Sequence, residues 1–389
     1  MARLLLLSNG HGEDLSGALL GRALSEQGHE VQALPLVGQG NSYRTAGIPL
    51  LGRTREFSTG GIGYTSLRGR LTELMQGQLF HLLEQLMRLL RRAHRFDLIV
   101  VVGDVIPVIA SWLCRRPAAT YLVAYSSHYE GRLRLPWPCA ELLATPRFLA
   151  VFSRDQLTAD DLSQQLRRPV RFLGNPFMDP VLTPVPPLPA AEQRIGLLPG
   201  SRRPELDANL TLMLRLVSQL PHQSGLHLDL ALVNSLGNTD LSALAQRAGW
   251  NLQDERLLRD GAPTIEVHRG AFQAVLQSSD LVIGMAGTAV EQAVGLGRPA
   301  LQLPGAGPQF TAAFAEAQRR LLGPTVFCAP GEAGSLQNLS ASAELCLQLL
   351  QRSRCDEPLR QRCREEAQRR LGHRGGGLRM ATAISCLLP

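Results

Sequence analysis

Lysine is absent from this sequence, and its absence limits the kinds of ligand site that the chain can build. All 40 basic residues are arginines, and with 33 acidic residues they give a net charge of +7. Without lysine, the phosphate-binding P-loop motif GxxxxGK[ST] is excluded. Arginine instead offers phosphate a planar fork of donors. The basic balance favours phosphate ligands, an anionic membrane or nucleic acid as partners, and its diffuse distribution does not choose among them.

Metal-binding motifs are also missing. The chain contains no Asp-x-Asp, no HExxH and no cluster of cysteine and histidine. The cysteines are odd in number and lack CxxC spacing, which argues against a zinc site and a disulfide framework. The seven are Cys114, Cys139, Cys328, Cys346, Cys355, Cys363 and Cys386. We therefore predict no metal and no cofactor, and a reducing cytoplasm as the location.

Long apolar runs and aromatic residues are scarce as well. No stretch of about 18 uncharged apolar residues occurs, so we expect no membrane-spanning helix. The four leucines at positions 4–7 are too few for the core of a signal peptide and predict a buried strand instead. Aromatic residues make up 5% of the chain and do not alternate with basic ones, so nucleic-acid binding by base stacking is not expected.

Short apolar runs that end in small or polar residues recur along the chain. Continuous runs without alternation predict strands buried on both faces, as in a parallel sheet covered by helices. The runs are LLLLSNG, LIVVVGD, YLVAYSS, LAVFSRD and VRFLGNP in the first half, and IGLLPGS, LDLALVNS, DLVIGMAG and PALQLPG in the second.

A proline-rich segment separates the two halves. Residues 181–190 hold four prolines, which stiffen the backbone and predict an interdomain linker. Residues 1–180 and 191–370 are each predicted to form a Rossmann-like, doubly wound parallel-sheet domain of the α/β class, which suits a length of 389 residues. Two such domains facing each other leave a cleft lined by the carboxyl ends of their strands.

Residues 53–95 carry leucines at helical spacing followed by Arg88, Arg91, Arg92 and Arg95. A basic amphipathic helix of this kind can lie on an anionic membrane. A helix packed on its own sheet with its arginines outward has the same pattern, and we favour that interpretation.

The segment LPGSRRPE places two arginines where a strand becomes a helix. Gly200 belongs to the predicted turn, Ser201 is a suitable N-cap and Pro204 is tolerated in the first helical turn. Arg202 or Arg203 then lies beside a helix N-terminus, whose N–H groups already favour an anion. The pattern predicts a phosphate site, and a capped surface helix with solvated arginines is the alternative.

The segment GMAGTAVEQ is the second candidate. Gly284 and Gly287 let a loop approach a ligand closely. Thr288 followed three positions later by Glu291 fits a capping box. Equally, the Glu291 carboxylate can accept the hydroxyls of a ribose, as acidic residues do in nucleotide sites. The spacing does not decide between these two interpretations.

The segment SNGHGED is the third. Gly10 and Gly12, at a strand-to-helix turn, give a weak signal for close approach of a substrate. His11, Glu13 and Asp14 are candidate general bases, and histidine has the unperturbed pKa nearest neutrality. A structural role for His11 is the alternative.

The order of these motifs resembles that of a known family. SNGHGEDLSGALLGRAL, VVGD, FLGNPFMDPV, LLPGSRRPE, MAGTAVEQAVGLGRPALQLPG and RRLGHRGGGLRMA together resemble the lipid-A-disaccharide synthases, which are GT-B glycosyltransferases, and in particular the branch related to that synthase. The resemblance spans nearly the whole chain. GNP, LPGSRxxE and GTAxxE are its most specific elements.

This resemblance implies that residues 1–180 bind the acceptor, that residues 191–370 bind the nucleotide-sugar donor without a metal, and that residues 371–389 cross back to the N-terminal domain. It places Arg202 at the donor diphosphate, with Gly287 and Thr288 in the loop beside it and Glu291 at the ribose. Gln309 matches, more loosely, the position that contacts the donor sugar in related enzymes.

Two departures from the synthase pattern fall in the half expected to bind the acceptor. The first loop of the synthases reads G-E-x-S-G-D; here it keeps Asp14 and replaces the glutamate with Gly10. An Asp-x-Pro-Asp segment appears here as GDVIPV, which retains one carboxylate, Asp104. The lipid A precursor is therefore not assumed to be the substrate.

The resulting prediction is an inverting, metal-independent transfer from a UDP-sugar to a lipid-linked or otherwise amphiphilic acceptor. His11 is the first candidate for the base, with Asp14 and Asp104 as alternatives, and Arg202 stabilises the departing UDP. Such an enzyme would be cytoplasmic or peripheral on the cytoplasmic face of a membrane. A nucleotide-sugar 2-epimerase of the same fold, and a non-catalytic nucleotide-sugar sensor or membrane-surface adaptor, are the alternatives.

Overall fold

The computed structural model of the protein describes residues 1–52, 54, 78–129, 131–203, 205–223, 225–285, 287–305 and 312–388. The chain divides into two compact units. The first comprises Met1–Asp179 together with Gly372–Pro389, and the second comprises Pro180–Leu371.

The described strands and helices alternate along the chain, as expected for an α/β protein. The strands are β1 Arg3–Ser8, β2 Glu30–Pro35, β3 Leu98–Val102, β4 Ala118–Leu122, β5 Phe148–Ser153, β6 Val170–Phe172, β7 Gln193–Leu198, β8 Leu226–Leu232, β9 Asn251–Gln253, β10 Arg256–Leu258, β11 Ile265–Arg269, β12 Leu281–Gly284, β13 Ala300–Gln302 and β14 Val326–Phe327. The helices are α1 His11–Glu26, α2 Asn41–Thr45, α3 Gln78–Arg92, α4 Val105–Leu113, α5 Cys139–Leu143, α6 Gln156–Leu166, α7 Asp179–Leu182, α8 Glu205–Val217, α9 Asn238–Arg247, α10 Phe272–Ser278, α11 Thr288–Gly295, α12 Ala312–Leu322, α13 Leu336–Cys355, α14 Glu357–Leu371 and α15 Gly376–Ser385. Two 3-10 turns, Ala93–Arg95 and Pro176–Met178, complete the set.

The first unit contains a six-stranded parallel sheet in the order β2-β1-β3-β4-β5-β6. Its central strands are apolar along their whole length: β3 is buried at all five positions. Such a strand needs helices on both faces of the sheet. The continuous apolar runs therefore predicted the parallel, doubly wound arrangement correctly. Strand β2, EVQALP, was not recognised because its polar residues interrupt the run.

The second unit contains an eight-stranded sheet in the order β14-β13-β12-β7-β8-β11-β10-β9. It is parallel except at one edge, where β10 pairs antiparallel with both β9 and β11. The doubly wound parallel arrangement predicted for this half is confirmed, and the antiparallel edge is an addition that the apolar runs did not indicate. Asp254 and Glu255 join β9 to β10 with φ angles of 43° and 60°. Two successive positive φ angles match the twist of a tight hairpin, and Asp-Glu lacks the glycine that usually signals one.

The proline-rich stretch at residues 181–190 lies within the second unit and is bonded to its helix α10. The side chain of Gln277 donates to the carbonyl oxygens of Val181 and Thr183, at 2.7 Å each, and accepts the backbone N–H of Val185 at 3.2 Å. These bonds satisfy backbone groups of the stretch. The Ser278 hydroxyl also accepts the backbone N–H of Leu188 at 3.2 Å, so two side chains of α10 hold the stretch on the second unit.

In the first unit, the C-terminal helix α15 packs against α1, and Asp179 holds its N-terminus. The Asp179 carboxylate accepts the backbone N–H groups of Gly375, Gly376 and Gly377 at 2.7, 3.0 and 2.8 Å. A Cβ on Gly376 would lie 2.6 Å from the carbonyl carbon of Gly174. The GNP motif and the glycine-rich GHRGGG motif therefore meet each other, and glycine is required for this close backbone approach.

Candidate functional site

Each unit brings its candidate residues to a topological switch point of its sheet. Strand β1 has β2 on one side and β3 on the other, and β7 has β8 on one side and β12 on the other. In open α/β sheets, ligands bind outside the carboxyl ends of the strands at such a point. SNGHGED follows β1 and GDVIPV follows β3, whereas LPGSRRPE follows β7 and GMAGTAVEQ follows β12.

At the switch point of the first unit, Asn9 and Asp104 join the two strand ends. The side-chain nitrogen of Asn9 lies 3.2 and 3.4 Å from the two carboxylate oxygens of Asp104. Asp104 is also the N-cap of α4 and accepts the backbone N–H of Ile106 at 2.9 Å. Burial raises the pKa of the Asp104 carboxyl, and these hydrogen bonds oppose the rise. Asp104 is half-buried, so substrate can reach it.

Glu13 lies beside this pair. Its carboxylate accepts the backbone N–H of Asn9 at 2.7 Å and packs against the backbone of Gly103, where a Cβ would be 2.4 Å from its Oε2. Gly103 has a φ of 146°, so both its conformation and its neighbour require glycine. Burial raises the pKa of Glu13 well above its usual value, and the nearby Asp104 carboxylate raises it further.

Asp14 lies deeper, with 1% of its surface exposed. Its carboxylate accepts the Ser8 hydroxyl at 2.6 Å, and the Tyr43 hydroxyl donates to Ser8 at 2.9 Å. Burial raises the pKa of Asp14 to about 7, against the lowering effect of the Ser8 hydrogen bond. Gly17 makes room for this chain of groups, because a Cβ there would lie 2.1 Å from the Tyr43 hydroxyl. Asp14 is therefore a proton-holding group that bulk solvent reaches poorly.

The remaining candidates of the first unit lie at the start of α1. Gly10 immediately precedes the helix, His11 is its first residue and Gly12 is exposed in its first turn. The position of the His11 side chain lies outside the described part of the chain, so its predicted role as base stays a prediction. Sequence reasoning missed Asn9, although it directly follows β1 as Asp104 follows β3 by two residues.

In the second unit, the helix that follows β7 begins later than the sequence predicted. Helix α8 begins at Glu205, so Ser201 lies three positions before the place of an N-cap. Gly200 has a φ of 101°, and the buried side chain of Asn209 in α8 donates to the carbonyl of Pro199 at 2.9 Å. Asn209 thereby holds the turn in place of the predicted serine cap. Pro204 lies outside the described residues.

The structure distinguishes the two arginines of this turn. Arg203 binds Asp207 at 2.8 Å and Asp240 at 2.6 Å. Its guanidinium charge is therefore balanced within the protein, and these two carboxylates raise its pKa. Arg202 is exposed and lies four residues after the end of β7. Its assignment to the donor diphosphate stays a prediction.

The loop after β12 rules out the capping box. Helix α11 begins at Thr288, and its N-cap is Gly287, which has a φ of 77° and no side chain to cap the helix. Thr288 is thus the first helical residue, and Glu291 is displaced by one position from the place that a capping box needs. Glu291 is half-buried in the first turn of the helix. The ribose interpretation remains as a prediction.

Two buried glutamines, which sequence reasoning missed, hold this loop. Gln318 in α12 donates to the carbonyl of Gly287 at 3.0 Å and accepts its N–H at 3.3 Å. Gln302 in β13 donates to Gln318 at 2.7 Å and to the carbonyl of Met285 at 3.1 Å. Buried amides in a connected network fix one conformation of the backbone that they bind. The glycine loop is therefore held in shape by side chains behind it.

Two further points complete the description of the second unit. Gln309 belongs to residues 306–311, which lie outside the described chain, so its predicted contact with the donor sugar stays a prediction. Asp229, Glu266 and His268 place possible metal-ligand atoms within 4.8 Å of one another. However, Asp229 is already bonded to the Arg194 guanidinium and, at 2.6 Å, to His268. A buried arginine beside this group disfavours a cation there.

Known structures resemble the whole chain at low sequence identity. The calicheamicin glycosyltransferase CalG4 shares 18% identity over 99% of this chain and 98% of its own, with a TM-score of 0.62. A structure of MnaA from S. aureus with UDP gives 16% identity, 100% and 97% coverage and a TM-score of 0.58. A candidate UDP-N-acetylglucosamine 2-epimerase from Listeria monocytogenes shares 16% identity over 99% of this chain and 96% of its own, with a TM-score of 0.56.

No protein-family model and no curated protein matches the sequence. The resemblance to the lipid-A-disaccharide synthase branch therefore stays a prediction. Within the described residues, no helix is both long enough and apolar enough to cross a membrane. The structural matches are to glycosyltransferases and to a candidate epimerase that share one architecture. The chain has the GT-B fold.

Proposed function

We propose that the protein transfers a sugar from a UDP-sugar to a hydroxyl group of an amphiphilic acceptor, with inversion and without a metal. The observation that carries the proposal is the pair of switch points: one gathers carboxylates, and the other presents an arginine and a glycine loop. Since a likeness at this level of identity shows the fold alone, the activity is argued from these residues. The cytoplasmic or peripheral location predicted from the sequence belongs to this proposal.

The switch point of the second unit suits a nucleoside diphosphate. Helices α8 and α11 begin there, at Glu205 and Thr288. Helix N-termini offer free N–H groups and a partial positive charge to phosphate oxygens. Arg202 adds a full positive charge that can stabilise the departing UDP. Glu291, in the first turn of α11, would accept the ribose hydroxyls.

The switch point of the first unit suits removal of a proton from an acceptor hydroxyl. Asp104 is the described carboxylate best placed to touch substrate, because it is half-buried while Asp14 is almost fully buried. A raised pKa makes Asp104 a stronger base than an exposed aspartate. Asn9 and the N-terminus of α4 orient it. The acceptor oxygen would attack the anomeric carbon as the bond to UDP breaks, and the proton would pass to Asp104.

The second candidate is a nucleotide-sugar 2-epimerase, which the likeness to the candidate Listeria enzyme favours. An epimerase changes the sugar without any acceptor. GTAVEQA contains one glutamate, Glu291, where a pair is expected in enzymes of that family. The preference for transfer rests on this difference.

One experiment separates these possibilities. A panel of nucleotide sugars is titrated into the protein by calorimetry, and the sugars that bind are incubated with and without amphiphilic alcohols while products are followed by NMR. Transfer predicts a β-glycoside from an α-linked donor, formed only when acceptor is present. Epimerisation of the sugar without acceptor would favour the second candidate. Binding without turnover would indicate a sensor, and failure to bind any nucleotide sugar would contradict all three functions.

A further inference from the structure

Helix α3 exposes an apolar stripe. Phe80, Leu83, Met87 and Leu90 are 79%, 49%, 49% and 40% exposed. Their spacing of three, four and three residues places them on one face of the helix. A face with this pattern normally packs on the core. On α3 it is turned toward solvent in the described structure.

The opposite face of α3 is buried against the first unit and includes polar side chains. His81 and Gln85 are buried, and their side chains are 3.3 Å apart in a hydrogen bond. Further along the same side, Leu89 and Ala93 join the core of the first unit. The helix is thus anchored without its apolar stripe. The sequence interpretation of a helix packed on its sheet accounts for the buried face and leaves the stripe unexplained.

The charges around the stripe are mainly positive. Arg91, Arg92 and Arg95 are exposed where the helix ends. The one acidic side chain of the helix, Glu84, is bound by Arg88 at 2.7 Å. An anionic surface would therefore meet three arginines and no unpaired carboxylate along α3.

A second exposed apolar side chain precedes a neighbouring helix. Trp137 is 83% exposed and lies two residues before α5. Helix α5 packs on α4, which packs on α3. Arg132 and Arg134 lie just before the tryptophan and are exposed. Tryptophan beside basic residues is typical of the membrane–water interface.

We propose that the apolar stripe of α3, with Arg91, Arg92 and Arg95, is a docking surface for an anionic lipid bilayer. The four apolar side chains would enter the headgroup region while the arginines pair with lipid phosphates. Charge complementarity favours this partner over a second copy of the same basic chain, whose α3 would repel it. The surface adds a partner to the proposed function, but its binding to lipid does not depend on that function.

The test is co-sedimentation of the full-length protein with vesicles, in the absence of any nucleotide sugar. Vesicles of phosphatidylcholine with and without phosphatidylglycerol are compared at low and high salt, since screening weakens the arginine contribution. Wild type should bind the anionic vesicles at low salt. The triple variant Leu83→Gln/Met87→Gln/Leu90→Gln should bind at least about tenfold more weakly.

Each triple variant has a control with the same number of substitutions elsewhere on the protein. Leu157, Leu336 and Leu378 are exposed leucines on other helices, at 40%, 71% and 58%. Their joint change to glutamine should leave lipid binding within about twofold of wild type, by the general additivity of distant surface changes. Arg91→Gln/Arg92→Gln/Arg95→Gln should remove most of the preference for anionic vesicles. The control triple variant in the second unit should keep this preference; it is Arg247→Gln/Arg256→Gln/Arg259→Gln.

Three outcomes would overturn the proposal. The first is the absence of binding by wild type at low salt. The second is equal binding by the stripe variant and its control. The third is a wild-type dimer in sedimentation equilibrium that the stripe variant alone breaks, since a second copy would then cover the stripe. Circular dichroism establishes that each variant is folded. Because no sugar donor is present, failure here is distinct from failure of the transferase proposal.

Discussion

Asn9 and Asp104 are 95 positions apart in the sequence, and their side chains are hydrogen-bonded at the carboxyl ends of adjacent strands. The contact exists because β1 and β3 pair in parallel register, with Ser8 opposite Val102. It brings an orienting amide and a carboxylate to the one point of the sheet where a substrate pocket is expected. Their roles can be tested separately from those of the second unit.

Replacing Asp104 with asparagine should lower kcat by about 10²–10⁴-fold, because the amide cannot accept the acceptor proton. UDP binding, measured by calorimetry, should be unchanged. Asp160→Asn is the control, since Asp160 is exposed on α6 and binds Gln156. Undiminished kcat in the Asp104 variant would exclude it as the base and return attention to His11.

Arg202→Ala should lower kcat/KM. If Arg202 faces the diphosphate, the variant loses about 2–4 kcal/mol of transition-state stabilisation. Arg203→Ala is the matched control within the same turn. Because Arg203 is bound to Asp207 and Asp240, its loss should leave kcat/KM close to wild type. Equal losses in the two variants would contradict the assignment of the phosphate site to Arg202.

Gln318→Met tests whether the buried amides shape the glycine loop. The change removes both hydrogen bonds to Gly287 while keeping a side chain of similar length. Leaving these backbone groups unpaired costs about 1–3 kcal/mol, which should appear mainly as weaker binding of the nucleotide sugar. The control is Gln351→Met on α13, where the glutamine is exposed. Identical affinities in the two variants would show that the loop does not need the network.

Asp14 should make the protein less stable as the pH rises toward neutrality. Its pKa is raised in the folded state to about 7 from 3.8, so the folded protein binds the proton more tightly than the unfolded chain. Stability is then highest below about pH 4 for this group and falls as the pH passes through 7. A pKa raised by about three corresponds to a change of roughly 4 kcal/mol in the free energy of unfolding.

The measurement is urea unfolding of wild type and Asp14→Asn across this pH range. Asparagine cannot ionise. As the pH rises, the free energy of unfolding of the variant should therefore increase, relative to that of wild type, by an amount of this order. A difference that does not vary with pH would show that Asp14 is not held protonated.

Asp179→Ala should destabilise the first unit by about 2–4 kcal/mol, because three backbone N–H groups of the α15 N-terminus lose a charged acceptor. Thermal unfolding measures the loss, and Asp160→Ala is a suitable control. UDP binding by the second unit should persist below the melting temperature. An unchanged melting temperature would mean that α15 is held by its packing on α1 alone.

Local patterns identified most of the fold. Apolar runs such as LIVVVGD predicted buried parallel strands because a strand covered on both faces must be apolar along its length. The hairpin from β9 to β10 was missed because Asp254 and Glu255 adopt positive φ without the glycine that would signal it. Helix starts were also misplaced: α8 begins at Glu205, beyond Ser201, and the N-cap of α11 is Gly287 instead of Thr288.

The sequence by itself determined which segments end strands at the two switch points, since the apolar runs of β1, β3, β7 and β12 each stop at a glycine, a proline or a polar residue. Only the tertiary structure decided which of those residues meet. Pairing of β1 with β3 brings Asn9 to Asp104, and burial beneath them raises the pKa of Asp14. Strand pairing and burial depend on contacts between segments far apart in the chain, so no local pattern encodes them.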